Sequence, residues 1–566
     1  MSTKQKLELT WIGKEKRPKL EPRILVEVPE KSYHAKEKHS ESDLFENMLI
    51  HGDNLLALKA LEQKFEGQVK CIYIDPPFNT GNAFEYYDDG LEHSIWLNLM
   101  YLRLLHLQKL LSRDGVIAIE CDKNEDAYLK IICDEIFGRD NFINSITIQS
   151  STPSGTKLAH RNKTILKTKD TLLIYKNGGD IEIKPQYIPT DNLTNFNYWL
   201  ENKDGHYTVR NLKDVLIEHN IIKKGDSIDD YKLSAHKDFE TFILQNKEQI
   251  FRKQPSLPDD IKQKSKSNPG AIISYHDNDG QIFLAQNGYR FAFLASAVRE
   301  YNGSEKVTQL LCDIWTDISF HGTQYEGPVS FPAGKKPEAL IHRILDMFTK
   351  PGDLVLDSFL GSGTTAAVAH KMGRRWIGIE LRDHCYTHCY TRLKSVIDGT
   401  DSTGITKRVN WRGGGGFRFY ELGASLIQQD QWGQPVINPE FNAEMLAQAL
   451  CKLEGFTYNP SKEEYFIHGY SSERDFIYVT TNYMRTENLQ SISHQLGDNR
   501  SLLICCRGFN PAVKFDNLTV KKIPKAVLDK CEWGHDDYSL NIKNLPMSVM
   551  GSAAEQGDLF ENKGDE

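Results

Sequence analysis

The feature of this sequence that most restricts its fold is a set of short apolar runs, each bounded by turn residues or by a helical pattern. Such runs fit strands that are buried on both faces of a parallel sheet, and they lie at residues 47–51, 69–74, 115–120, 171–175, 354–357 and 375–380. Apolar residues with helical spacing occur between them, most clearly at residues 96–111, 338–348 and 364–372. The alternation of strands and helices predicts an α/β fold with a doubly wound, mostly parallel sheet.

The predicted strands fall into two groups that a long interval separates. Residues 178–330 are polar, aromatic and irregular, and they lack the alternation of strands and helices. A chain of 566 residues is also too long for one compact domain. We therefore predict an N-terminal extension at 1–45, a first part of the α/β domain at 46–177, an inserted domain at 178–330, a second part of the α/β domain at 331–400, and a C-terminal α+β domain with an acidic tail at 401–566.

Charge and cysteine content bear on the partner and the compartment. The net charge of −8 does not by itself indicate nucleic-acid binding. Basic stretches at residues 161–169 and 262–266 are local candidates for DNA contacts, although such stretches are more often solvated faces. The ten cysteines are scattered without a disulfide framework, and we find no secretory signal and no apolar run of membrane-spanning length. These features predict a cytoplasmic protein.

One cluster of metal-binding residue types lies just after the last predicted strand. His384, Cys385, His388 and Cys389 have a spacing that could place two ligands on one helix face. Cysteine and histidine are also common packing residues where a helix follows a strand. We interpret the cluster as packing and predict no metal site.

The first candidate site is the segment 74–81, in which a predicted strand ends in Asp75, Pro76 and Pro77, followed by Phe78. A carboxylate and the Pro76 carbonyl that accept hydrogen bonds from an exocyclic aromatic amine would direct its lone pair toward attack. The prolines stiffen the loop, and Phe78 could stack on a base. Taken alone, the segment is equally consistent with a simple turn that an aspartate caps.

The second candidate site joins a predicted strand to a helix at residues 357–365. Its glycines permit a tight turn and close ligand approach, the helix N-terminus offers free N–H groups, and an acidic residue ending the next strand could bind ribose hydroxyls. Read alone, this site also fits the dinucleotide pattern of an NAD-dependent dehydrogenase. The candidate cofactor-binding residues are Asp357, Phe359, Gly361, Ser362, Gly363, Thr364 and Glu380.

Together, the two motifs resemble those of the amino-methyltransferases that act on adenine or cytosine in DNA. Because the catalytic motif precedes the cofactor motif, with a long insert between them, the chain resembles the permuted β class of that family. The resemblance implies a Rossmann-like methyltransferase fold, a target recognition domain in the insert, and S-adenosylmethionine as the methyl donor, with no metal needed.

The same resemblance assigns roles to further residues. It implies that Asp53 contacts the adenine ring of the donor, that Lys336 and Pro337 lie beside its methionine part, and that Glu380 binds its ribose. Without the resemblance, Asp53 is equally consistent with a turn residue and Lys336 with a solvated lysine.

A narrower resemblance, to the modification subunits of type III restriction–modification systems, covers nearly the whole chain. It implies methylation of N6 of a flipped-out adenine in double-stranded DNA, a homodimer, and a separate helicase–nuclease partner. Phe78 in place of the commoner Tyr and Cys121 in place of Asp are mild departures from the family. A solitary methyltransferase, N4-cytosine chemistry, a silent DNA-binding subunit and a dehydrogenase are the alternatives. The similar segments are 79–82, 96–97, 111–116, 122–125, 135–138, 411–417 and 522–524.

Overall fold

The structure is a computed structural model, and it divides the chain into two compact units. Unit 1 comprises Met1–Lys184 and Asp313–Glu566, and unit 2 comprises Pro185–Cys312. None of the helices described has the length and apolar composition that a membrane-spanning helix needs. The described residues are 8–15, 17–38, 43–77, 89–153, 158, 161–193, 195–203, 206–277, 280–301, 303–331, 334–429, 431, 435–523, 531 and 533–534.

The helices and strands follow one another along the chain in three stretches. The first stretch of unit 1 contains β1 (Leu25–Glu27), β2 (Tyr33–His34), β3 (Asn47–His51), α1 (Asn54–Phe65), β4 (Val69–Ile74), α2 (Asp89–Leu110), β5 (Leu111–Cys121), α3 (Asp126–Cys133), β6 (Phe142–Gln149) and β7 (Lys169–Lys176). Unit 2 contains β8 (Tyr187–Pro189), β9 (Tyr198–Lys203), β10 (His206–Asn211), α4 (Leu212–Glu218), α5 (Lys237–Gln245), β11 (Ile250–Gln254), α6 (Asp259–Ser267), β12 (Ile273–His276), β13 (Ile282–Gln286), β14 (Tyr289–Phe293), β15 (Val298–Tyr301) and β16 (Ser304–Leu310).

The second stretch of unit 1 returns to the α/β pattern and then continues into the C-terminal region. It contains β17 (Ile314–Trp315), α7 (Glu338–Phe348), β18 (Leu354–Asp357), α8 (Thr364–Lys371), β19 (Arg375–Glu380), α9 (Thr391–Ile397), β20 (Gly416–Leu422), β21 (Ile427–Gln429), β22 (Pro435–Ile437), α10 (Ala443–Glu454), β23 (Thr457–Tyr458), β24 (Gly469–Tyr470), β25 (Asp475–Val479), β26 (Tyr483–Met484), α11 (Thr486–Leu496), β27 (Ser501–Cys506), β28 (Gly508–Phe509) and β29 (Leu518–Lys522).

The main sheet of unit 1 has the strand order β1-β20-β3-β19-β18-β4-β5-β7-β6-β17, and β2 pairs with β20. The six neighbours from β20 to β5 are all parallel to one another. Side chains alternate across the sheet, so Ile72 and Ile74 of β4 pack into the core with α1 and α2. Cys71 and Tyr73 face the other side, where α7 contacts β4. The sheet is therefore covered on both faces, as the doubly wound prediction requires.

The sequence patterns located most elements of this sheet but misjudged one strand direction. Residues 171–175 were expected to form a parallel strand, and this expectation is wrong because β7 pairs antiparallel with both β5 and β6. An apolar run reports burial on both faces, and β7 is buried between two neighbours, but the run carries no information about direction. The half-exposed strand β6 was not predicted at all.

The boundaries of the predicted domains also differ from the strand pairing and the unit boundaries seen in the structure. Strand β1 and strand β2, from the predicted N-terminal extension, pair with β20, which lies in the predicted C-terminal domain. Strand β20 itself is parallel to β3. Residues on both sides of the α/β core thus complete the main sheet. Unit 2 is also narrower than the predicted insert, because residues 178–184 and 313–330 belong to unit 1.

Unit 2 and the C-terminal region have sheets of their own. In unit 2 the strands β10-β9-β11-β14-β13-β12 form an antiparallel sheet, β15-β16-β8 form a smaller one, and α4 and α5 contribute to an apolar core. Antiparallel strands need no helical crossovers, which explains the absence of a strand–helix rhythm there. The C-terminal region contains the sheet β23-β24-β25-β27-β29 with α10 and α11.

Candidate active site

The two sequence motifs leave the main sheet from neighbouring strands. Strand β18 pairs in parallel with β4, with Val355 opposite Cys71 and Leu356 opposite Ile72. Neighbouring strands lie about 4.8 Å apart, and parallel strands end at the same edge. Asp75, just after β4, and the turn at 358–363, just after β18, therefore emerge side by side. Ligands bind at this carboxyl edge in open α/β sheets.

The Asp-Pro-Pro loop is held from below by a buried indole. Pro76 and Pro77 are buried, and the Trp96 side chain donates a hydrogen bond from Nε1 to the Pro77 carbonyl oxygen at 2.8 Å. Trp96 belongs to α2 and is 1% exposed. This contact fixes the loop path just beyond Asp75. Phe78 lies outside the described residues, so its stacking role stays a prediction.

The Asp75 carboxylate lies in a chain of charged and polar groups. Lys336 Nζ is 3.2 Å from Asp75 Oδ1 and 2.7 Å from Glu120 Oε1, and the Tyr73 hydroxyl donates to Glu120 Oε2 at 2.7 Å. Burial raises the pKa of Asp75 to about 8, the Lys336 ammonium opposes that rise, and the Glu120 charge adds to it. Burial alone would lower the pKa of Lys336, but the two carboxylates raise it. Lys336 thus contacts the Asp-Pro-Pro motif directly, a link that the sequence did not reveal.

The glycine turn is shaped by the two acidic residues that end β18 and β19. Asp357 accepts the Phe359 backbone N–H at 2.9 Å and the Thr365 hydroxyl at 2.6 Å. Glu380 accepts the Gly361 N–H at 2.7 Å. Burial raises the pKa of both carboxyls to about 7. Both acids therefore bind the turn backbone and lie at the predicted cofactor edge.

Two glycines of this turn have backbone conformations that other residues avoid. Gly361 has a φ of +57° and Gly363, the N-cap of α8, has a φ of +82°. A Cβ added at Gly361 would meet only the Phe359 carbonyl oxygen, at 3.9 Å, so that side of the turn is open. A Cβ at Gly363 would lie 3.3 Å from the Cys389 Cα. The turn therefore offers an open side to a ligand, and on its other side Gly363 packs against the segment Cys385–Tyr390.

A fully buried ion network, which no local sequence pattern indicates, supports the turn. Glu338 binds Lys371 Nζ with both carboxylate oxygens at 2.9 Å and Arg392 Nη2 at 2.8 Å. Lys371 also contacts Asp401 Oδ2 at 2.7 Å, and Arg392 donates to the Thr364 hydroxyl at 2.7 Å. The network ties the first residue of α7 to the first residue of α8. Charges spread over the chain in this way leave no local sequence signal.

Asp53 caps the helix that follows β3. Its Oδ1 accepts the N–H groups of Leu55 and Leu56 at 2.9 and 3.1 Å, and its Oδ2 lies 3.2 Å from Arg103 Nη2. The neighbouring Asn54 donates to the Ser358 carbonyl oxygen at 2.7 Å. The capping role that the residue type allows is thus realised next to the glycine turn. A contact between Asp53 and an adenine ring stays a prediction.

Two other sequence candidates have structural partners. Lys167, in the basic stretch 161–169, lies 2.6 Å from Asp170 and 3.2 Å from Asp122, so these acids engage its charge. Cys385 and Cys389 are buried, and Cys389 Sγ donates to the Gly361 carbonyl oxygen at 3.1 Å. Within the described ranges, no group of three or more His, Cys, Asp or Glu side chains could hold a metal ion.

The edge has the groups that a nucleoside cofactor with a charged tail would need. The N-terminus of α8 carries the free N–H groups of a helix start, and Glu380 is an acceptor at the end of the next strand. The Ser358 hydroxyl is buried and has no hydrogen-bond partner among the described residues. These groups, together with the open side of Gly361, fit a ligand whose ribose hydroxyls donate hydrogen bonds and whose carboxylate accepts them.

Comparison with known proteins agrees with this arrangement. A family model described as DNA methylase matches residues 69–390, which include both motifs. The probable type III restriction-modification enzyme HindVI Mod subunit of Haemophilus influenzae is 37% identical over 467 residues, which cover 76% of this chain and 60% of that protein. The match thus spans less than two thirds of that relative's length.

Other similar proteins include further methyltransferases and a second type III Mod subunit. The type II methyltransferase M.KpnI of Klebsiella pneumoniae is 30% identical over 340 residues, 56% of this chain and 75% of that protein. The EcoPI Mod subunit of Escherichia phage P1 is 27% identical over 435 residues, 65% of this chain and 62% of that protein. Among solved structures, the cytosine-N4-specific PvuII DNA methyltransferase matches with a TM-score of 0.31 and 12% identity, over 66% of this chain and 94% of that one.

Proposed function

This chain belongs to the DNA methylase family, and we propose that it transfers a methyl group from S-adenosylmethionine to the exocyclic N6 amine of adenine in double-stranded DNA. The observation that carries the proposal is the parallel pairing of β4 with β18, which brings Asp75 beside the glycine turn. The permuted order of the two motifs, and the insert between them, agree with the β class. A dehydrogenase would have no use for the buried Asp-Pro-Pro loop.

The chain's own residues would position the amine. The target adenine has to leave the base stack, because its amine is otherwise inaccessible. Asp75 and the Pro76 carbonyl would accept its two N–H bonds and stabilise the positive charge that develops on nitrogen. The donor, when bound, supplies a methyl group that the amine takes as the C–S bond breaks, with the electron pair left on sulfur and one amine proton lost to water. Most of the rate enhancement would come from positioning and fixed charge.

The cofactor edge would hold the donor through five groups. Glu380 would accept hydrogen bonds from the ribose hydroxyls, and the turn from Phe359 to Gly363 would lie against the sulfonium part. The start of α8 would favour the carboxylate of the methionine part through its free N–H groups. Asp53 and the Lys336–Pro337 pair would border the adenine and methionine ends respectively. No metal is needed for this transfer.

We also propose a place for the protein in a type III restriction–modification system, as its modification and sequence-recognition subunit. The similarity to the HindVI and EcoPI Mod subunits supports this assignment. Unit 2 would read the DNA sequence, a second copy of the chain would complete a homodimer, and a separate helicase–nuclease subunit would be the partner. The cell compartment would be the cytoplasm.

The proposal can be tested by comparing the methylation of DNA from cells with and without the gene. Long-read sequencing should report N6-methyladenine at one recurring motif only when the gene is present, and nucleoside analysis should identify the same base. N4-methylcytosine at that motif would overturn the adenine assignment. Calorimetry that detects NAD binding but no S-adenosylmethionine binding would overturn the methyltransferase assignment as a whole.

A further inference from the structure

Behind Asp75 lies a second carboxylate that the proposed reaction does not use. Glu120 is the second-to-last residue of β5, the neighbour of β4, and its side chain is fully buried. It shares the Lys336 ammonium with Asp75 and also accepts the Tyr73 hydroxyl. Burying a charged carboxylate lowers stability unless a cation pairs with it. Two buried carboxylates that share one ammonium are therefore only partly compensated, which points to a role beyond stability.

The two distances from Lys336 Nζ show which carboxylate it pairs with more closely. Lys336 Nζ is 2.7 Å from Glu120 and 3.2 Å from Asp75, so its shorter contact is with the residue farther from the loop. Lys336 is therefore anchored at the back of the site. An acceptor that is fully neutralised by a close ammonium is a weaker base than one that shares it.

We propose that Glu120 is a positioning residue for methyl transfer, which holds the Lys336 ammonium partly off Asp75 and so keeps Asp75 a strong acceptor for the target amine. The proposal rests on the methyltransferase function proposed above. Tyr73, from the same strand that delivers Asp75, fixes the Glu120 carboxylate through its hydroxyl. Tyr73 and Glu120 come from the neighbouring strands β4 and β5, and Lys336 lies two residues before α7. Small movements of any of these three residues therefore change the charge that Asp75 experiences.

The other charged groups near Asp75 do not take over the role of Glu120 as the carboxylate that shares the Lys336 ammonium with it. Asp170, at the start of β7, raises the pKa of Asp75 and lies 2.6 Å from Lys167. Lys167 is also 3.2 Å from Asp122. That second lysine is thus shared by two other acids. Among the described groups, Lys336 is the cation in contact with Asp75, and Glu120 is its nearest competitor.

The variant Glu120→Gln tests the proposal because it removes one charge and keeps the side-chain shape. Lys336 would then pair with Asp75 alone. The acid limb of the kcat profile should move to lower pH by about one to three units, as expected for a carboxylate next to one unshared cation. The high-pH plateau of kcat should fall several-fold, since the paired carboxylate accepts the amine poorly. Glu120→Asp, which restores the charge, should bring the limb back toward its wild-type position.

A second variant and a control variant test whether the acid limb of the pH profile moves in the direction that the proposal requires. Lys336→Met removes the cation and should move the acid limb to higher pH, opposite to Glu120→Gln. Glu66→Gln makes the same chemical change on the exposed turn before β4 and should leave the profile unchanged. An acid limb that stays in place or rises in Glu120→Gln would overturn the proposal, whatever happens to the plateau.

A measurement without turnover separates this inference from the proposed function. Infrared difference spectra of the protein without DNA can follow the protonated-carboxyl band that disappears in Asp75→Asn. That band should titrate at lower pH in Glu120→Gln than in the wild type, and an unchanged titration overturns the inference. If the wild type transfers no methyl group, the proposed function fails, while the titration still reports whether Glu120 controls Asp75.

Discussion

The substitution Asp75→Asn gives the most direct test of the candidate active site. Asparagine keeps the shape and one carbonyl oxygen but loses the negative charge that should stabilise the developing cation on the target nitrogen. Removing one such preorganised group typically costs about 10²–10³ in kcat, or about 2.7–4 kcal/mol. We expect a loss of that size, because Asp75 is mostly buried and acts where water screens charge weakly.

The fold should survive this substitution. Lys336 keeps its 2.7 Å contact with Glu120, so no buried cation is left alone. Burial raises the pKa of Asp75 from 3.8 to about 8, which means that the folded protein holds this proton more tightly than the unfolded chain. The contribution of Asp75 to stability therefore falls as the pH rises between those values. The variant should consequently unfold at the same temperature as the wild type at pH 8, or at a higher one.

Three measurements on one preparation complete the test. Single-turnover transfer from tritiated S-adenosylmethionine reports the chemical step, calorimetry reports donor binding, and thermal unfolding reports stability. Asp140→Asn, the same change at an exposed position, should leave all three unchanged. Transfer by Asp75→Asn within about three-fold of the wild-type rate would refute the role of the carboxylate, because a charge-stabilising group is worth far more. Loss of donor binding would instead indicate a structural role.

The remaining predictions concern pH, the buried ion network and the glycine turn. Because Asp75 has to be ionised to accept the amine and its pKa is raised to about 8, kcat/KM should increase with pH up to about that value, and a flat profile between pH 6 and pH 8 would contradict this role. Glu338→Ala leaves two buried cations without their shared carboxylate and should lower the free energy of unfolding by about 3–5 kcal/mol in urea titrations, whereas a loss below about 1 kcal/mol would show that the network is dispensable. Gly363→Ala forces a left-handed backbone on a residue with a side chain, 3.3 Å from the Cys389 Cα, and should cost about 1–3 kcal/mol of stability and weaken donor binding measured by calorimetry. Unimpaired donor binding in that variant would place the donor elsewhere.

Agreement between sequence and structure is best where a signal is local. Strands β3, β4, β18 and β19 and helix α7 lie at the residues that their apolar patterns indicated, because burial and periodicity act over a few neighbouring residues. The predicted direction of β7 was wrong because strand direction depends on which neighbouring strands the chain pairs with, and the local sequence does not record that. The two motifs were recognisable because their chemistry requires particular residue types in short, ordered segments.

By itself, the sequence determined the residue types of the site, the α/β class and the position of most elements of the main sheet. Tertiary structure alone decided that β4 and β18 are neighbours, that Lys336 bridges Asp75 and Glu120, and that Arg392 supports Thr364 from below. It also joined β1 to β20 across nearly the whole length of the α/β core. The physical reason is that strand pairing and buried ion pairs link residues hundreds of positions apart, and their energies depend on distances that no local pattern records.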